Sequence, residues 1–124
     1  RSRVLFRLLN IVGSTNTLDQ TKHYRVISEA SNGIEALSIY RKLKPDAVIL
    51  DLTMDQLDGF KTLSLMLKLF PFANVIVFSS LTSKLTKDEC FQLGAKDIIA
   101  KPNFKSIIRS LDQIFEAKIA NDFQ

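Results

Sequence analysis

Asp51, Ser79 and Lys101 each follow a short apolar run: Ala47 to Leu50, Val75 to Phe78, and Ile98 to Ala100. Runs of this kind, rich in β-branched residues and without alternation, read as strands buried on both faces, as in a parallel sheet. Open parallel sheets bind their ligands beyond the carboxyl ends of the strands. The fold would therefore gather a carboxylate, a hydroxyl and an ammonium at one rim, although the three are far apart in sequence. That set suits phosphoryl transfer. Asp51 can attack phosphorus to form an acyl phosphate, Lys101 supplies a flexible positive charge, and the Ser79 hydroxyl can donate to a phosphoryl oxygen.

Helical patterns separate the runs that position these groups. From Gly33 to Leu43 the apolar residues fall mostly on one face, and Pro45 stops the helix. Leu63, Met66 and Leu69 recur at helical spacing between Gly59 and Phe70, with Pro71 beyond. Asp88 to Leu93 predicts a shorter helix ended by Gly94. Ile107, Ile108, Leu111, Ile114 and Phe115 predict an amphipathic closing helix, and Tyr24 to Ser28 an edge strand. Alternating strands and helices give an α/β fold with a doubly wound parallel sheet, as one domain over residues 1–124.

Composition narrows the function. A 124-residue chain with 46% hydrophobic residues can bury one core unaided. No apolar run approaches the roughly 18 residues of a membrane span, so a cytoplasmic protein with no membrane partner is expected. Cys90, the single cysteine, has no partner for an internal disulfide and is expected to be a half-buried apolar side chain. The single histidine, His23, excludes sites built on several histidines and is expected in a solvated loop. A net charge of +4 permits attraction to acidic surfaces, but the basic residues are dispersed without interleaved aromatics, and no nucleic-acid partner is expected.

The stretch Pro45 to Met54, with Asp58 and Gly59 beyond it, resembles the phosphoacceptor strand and loop of two-component response-regulator receiver domains of the CheY type. Glu29 to Leu37 resembles that family's second-strand exit and second helix. Val75 to Ser80 resembles its fourth strand with a switch hydroxyl, and Gly94 to Pro102 its fifth strand with a Lys-Pro pair. The match runs in order from about Tyr24 to the C-terminus. The resemblance implies a flavodoxin-like topology, Asp51 as phosphoacceptor, and Ser79 and Lys101 as its helpers. It also implies Mg²⁺ held by Asp51, the Thr53 backbone carbonyl and an adjacent acidic pair. The donor would be a sensor histidine kinase or phosphotransfer protein, and the output an unidentified downstream protein meeting the fourth helix, fifth strand and last helix. The only enzyme-like chemistry implied is the domain's own phosphoryl transfer and autodephosphorylation.

Some residues depart from the family's pattern. Asp55 stands where many relatives have proline, and Ile98 replaces the usual switch aromatic with an aliphatic side chain that has no ring to rotate between buried and exposed positions. No acidic residue precedes Asp19, so the acidic pair is not found and Mg²⁺ binding is expected to be weakened or lost. In one register Arg3 to Phe6 is the first strand, with Arg7 and Leu8 in place of the acids and the poor helix formers Gly13 to Thr17 following. In the other, Ser2 caps a helix whose apolar face is Val4, Leu5, Leu8, Leu9 and Val12. Helical spacing favours the second, which leaves the first strand either outside the sequence or replaced by another segment.

Two further readings stand beside this one. A pseudo-receiver would hold Asp51 and Lys101 as a buried ion pair, with Ser79 in a local hydrogen bond, and bind partners without phosphorylation. A flavodoxin-like protein would use Gly13, Ser14, Thr15, Asn16 and Thr17 as a phosphate cradle for a flavin.

Overall fold

A computed structural model describes residues 4–12, 23–52, 57–80 and 83–122. Along the chain run β1 (Val4–Val12), β2 (His23–Ala30), α1 (Gly33–Leu43), β3 (Ala47–Leu52), α2 (Leu57–Leu69), β4 (Val75–Ser79), α3 (Lys84–Leu93), β5 (Asp97–Ala100) and α4 (Phe104–Asp122). Among the described residues the strands form one sheet in the order β2-β1-β3-β4-β5. β3, β4 and β5 are parallel, whereas β1 runs antiparallel to both of its neighbours.

Two of the sequence-based expectations are corrected here. Val4–Val12 is not the helix that its spacing predicts, and the middle of the sheet is filled. The apolar positions repeat on two periods at once. A central strand covered on both faces reads as a nearly continuous apolar run, and a short run of that kind cannot be told from a buried helix by period. The extra residue at the register shift opposite Leu8 and Leu9 is Ile27 of β2, so β1 itself alternates without a break. With β1 in place, Phe6 and Leu8 face one core, and Leu9 packs in the other. The register with Arg3 to Phe6 as a strand is closer, but its strand is parallel and this one is reversed.

The helices close around this sheet on both sides. Ala36 of α1, Leu63, Met66 and Leu67 of α2 and Cys90 of α3 pack against Phe6, Leu8, Val48, Leu50, Leu52, Val75 and Val77. On the opposite face, Ile107, Leu111 and Phe115 of α4 pack against Ile49, Ile76, Phe78 and Ile99. Local chemistry fixes the ends. The Asn32 side chain accepts from the Glu35 N–H at 2.8 Å and starts α1, and Lys44 in the left-handed region (φ 47°) ends it before Pro45. Gly94 (φ 109°) ends α3, as its sequence position suggests. β2 is the edge strand expected from Tyr24 to Ser28, and the backbone of His23 lies at its start rather than in a loop.

Cys90 is fully buried rather than half-buried. Burial, and secondarily the charge of Glu89, push its thiol up to about 11. A pKa raised by folding stabilises the native state below the unfolded value and is lost as pH climbs towards the folded one. Stability should therefore fall by up to about 2–3 kcal/mol between roughly pH 9 and 11. Denaturation midpoints measured across that range in reductant should fall less steeply in Cys90→Ala, and equal slopes would remove the thiol from the account.

Candidate functional site

Strand alternation carries Asp51 on the same face as Ile49, at the carboxyl end of β3. Its register partner in β4 is Phe78. On the other side β1 places Leu5 opposite Asp51 and Arg7 two residues further along, on the same face. From there the guanidinium reaches back: Arg7 Nη1 donates to Asp51 Oδ2 at 2.8 Å. Arg7 Nε lies 3.4 Å from Glu29 Oε2, its cross-strand partner in β2. One arginine thus bridges two carboxylates.

Lys101, the residue after β5, completes the cluster with Nζ 2.5 Å from Asp51 Oδ1. Among the described residues no hydrogen bond of suitable angle reaches Oδ1, which is shielded from solvent, so this is a charge contact rather than an aligned bond. The Lys101 N–H donates to the Ser79 carbonyl at 2.9 Å, and its ammonium lies 5.6 Å from the centre of the Phe78 ring, within cation–π range. Phe78 packs in turn against Phe104, with ring centres 5.1 Å apart. The side chain of Asp51 is 14% exposed, against 23% for Lys101, 34% for Arg7 and 53% for Glu29, so Asp51 is the most enclosed member of the cluster.

The structure brings Asp51 and Lys101 together. Ser79 ends β4 at the same rim, fully buried, opposite Leu52 and one register position beyond Asp51. Asp51 lies within β3 rather than after it. Thr53, Asp55 and the cradle segment Gly13 to Thr17 lie outside the described residues. Ile98 is buried in the core shared with α2 and α3. Arg7 and Glu29 were not among the expected site residues. A signal for Arg7 was present: a cation inside the apolar run Val4 to Leu9 must find a carboxylate once that run is buried.

Magnesium, which the family resemblance implies, finds a poor fit here. Among the described residues no group of three or more acidic, histidine or cysteine side chains could hold a metal. Both oxygens of Asp51 already face cations. A divalent ion about 4 Å from a guanidinium would be repelled by roughly 8 kcal/mol at an effective dielectric of 20, before solvent screening reduces it.

A family model for the response regulator receiver domain matches residues 9–112. The chain belongs to this family. The receiver is 37% identical over 92 residues to the chemotaxis protein CheY of Thermotoga maritima, covering 73% of this chain and 77% of that one. It is 45% identical over 80 residues to a protein-glutamate methylesterase/protein-glutamine glutaminase of Syntrophomonas wolfei, but spans 63% of its own length and only 22% of that protein's. Among solved structures, the receiver superposes on a chain of the CheX-CheY-BeF3-Mg complex from Borrelia burgdorferi with a TM-score of 0.66 and 31% identity, covering 73% and 70% of the two chains. The response regulator domain of Thermotoga maritima CheB gives a TM-score of 0.56 at 32% identity, covering 71% of each. The flavodoxin-like receiver fold is thus shown, with a reversed central strand in this member. No helix among the described residues is long and apolar enough to cross a membrane.

Proposed function

We propose that residues 1–124 act as one receiver domain whose Asp51 accepts a phosphoryl group from a sensor histidine kinase or phosphotransfer protein. A downstream protein then reads the modified rim. The observation that carries this reading is the placement of Asp51: a partly exposed carboxylate at the carboxyl end of a buried strand, with the Lys101 ammonium 2.5 Å from one oxygen. One Asp51 oxygen forms the new bond to phosphorus as the bond from phosphorus to the donor's leaving group breaks, and that group departs with the electron pair. Lys101 then pairs with a phosphoryl oxygen, and the Ser79 hydroxyl donates to another. The CheY of Borrelia burgdorferi forms a beryllofluoride complex, and the same phosphoryl mimic serves as a probe here.

Incubation with beryllofluoride or acetyl phosphate should modify the protein at a single position, read by intact mass for the acyl phosphate and by ¹⁹F NMR for the fluoride adduct. Asp51→Asn should abolish both signals. Modification that survives this substitution would place the acceptor elsewhere.

The ion pair itself favours a second reading. Asp51 is held by Arg7 and Lys101 together, as in a pseudo-receiver that binds its partner without being phosphorylated. Under that reading the wild-type protein takes up neither probe, and Asp51→Asn disturbs partner binding only as far as it disturbs folding.

A further inference from the structure

We propose that the Arg7 guanidinium serves as the site's built-in cation, so that the Asp51 pocket binds a phosphoryl group or its trifluoroberyllate mimic without a divalent metal. The inference rests on Asp51 being the acceptor. Reversal of β1 supports it. That reversal sets Arg7 on the same sheet face as Asp51 and two residues from Asp51's partner Leu5. Its Nη1 is then 2.8 Å from Oδ2, while Nε is steered by Glu29 at 3.4 Å.

Charge counting shows what the modification does: the four groups are neutral at rest and sum to about −1 afterwards, the excess lying on the exposed Glu29. In the resting site Asp51 and Glu29 balance Arg7 and Lys101. When Asp51 becomes an acyl phosphate its own charge is lost and a phosphoryl group of about −2 takes its place. Arg7 and Lys101 then meet that dianion from two sides. The planar guanidinium fork can follow the charge outward, because its donors suit two oxygens of a phosphoryl group as well as those of a carboxylate. Lys101 can follow too, since no aligned hydrogen bond ties it to Oδ1. A divalent ion placed between the donor and Asp51 would have to displace Arg7 from Oδ2. The guanidinium instead offsets the negative charge that would otherwise repel the incoming donor.

The test titrates the folded protein with beryllium chloride in excess fluoride and follows bound trifluoroberyllate by ¹⁹F NMR. Samples contain either EDTA or magnesium chloride, and the variants are Arg7→Gln, Arg7→Lys and Asp51→Asn. In the wild type the half-saturating concentration should differ by less than about threefold between EDTA and magnesium, because a charge-assisted donor is already in place. Arg7→Gln should weaken binding in EDTA by roughly tenfold or more. Arg7→Lys should recover part of that loss, since the charge returns without the fork. Binding that requires magnesium and ignores Arg7→Gln would overturn the proposal and leave Asp51 as the acceptor. Absence of binding in either buffer would overturn both. The comparison of buffers uses wild-type protein alone, so it holds even if a variant fails to fold.

Discussion

Phe6→Ala should remove about 3–5 kcal/mol of folding stability, a large share of what a domain of this size possesses. Phe6 is 1% exposed at the centre of the sheet, opposite Ala30 in β2 and Leu50 in β3. The small Ala30 leaves room for the ring, and nothing near it can swell to refill the space. Leu8, Leu50 and Leu52 belong to the same buried cluster and would line the cavity. The same substitution distinguishes strand from helix. In a helix whose apolar face is Val4, Leu5, Leu8, Leu9 and Val12, Phe6 lies off that face, and its truncation would cost well under about 1 kcal/mol, as surface changes do. Urea unfolding of the wild type and Phe6→Ala at matched m-values decides between them.

On the other face of the sheet, Phe78→Ala should cost a similar amount, about 3–5 kcal/mol, and impair the site as well. Phe78 is 1% exposed and packs against Phe104, while the Lys101 ammonium sits over its ring. Truncation empties the space beneath Lys101 and removes a contact worth about 0.5–1 kcal/mol or more to the cation. Phe78→Leu keeps most of the volume and discards only the ring face. It should retain most of the stability while still weakening beryllofluoride binding, measured by denaturation and ¹⁹F NMR on the same preparations. If Phe78→Leu binds the probe as tightly as wild type, the ring does not position Lys101.

The strands that carry Asp51, Ser79 and Lys101 were legible because parallel strands buried on both faces leave unbroken runs of β-branched residues. α1 was legible at both ends, since Pro45 sets its limit and its apolar residues share one face. β1 was not, because its direction is written in no local pattern. Its antiparallel pairing with β2 replaces the crossover helix that parallel pairing would demand. The hint was the string Gly13 to Thr17, whose residues propagate a helix poorly. Arg7 was misplaced for the same reason: as a helical residue it faces outward, and as a strand residue it faces Asp51. Glu29 was read only as part of a strand exit, and its tie to Arg7 depends on the β1–β2 register.

The reversal of β1 also decides which way the start of the chain faces. Val4 pairs with Leu52, so β1 begins beside the carboxyl end of β3 and finishes at the opposite edge of the sheet. A first strand running parallel to β3 would begin at the far edge. A reporter fused close ahead of Val4 therefore sits at the rim that holds Asp51, where its bulk competes with an approaching phosphodonor. A short flexible spacer would relieve that crowding, and the same fusion serves as a proximity sensor for whatever docks over Asp51.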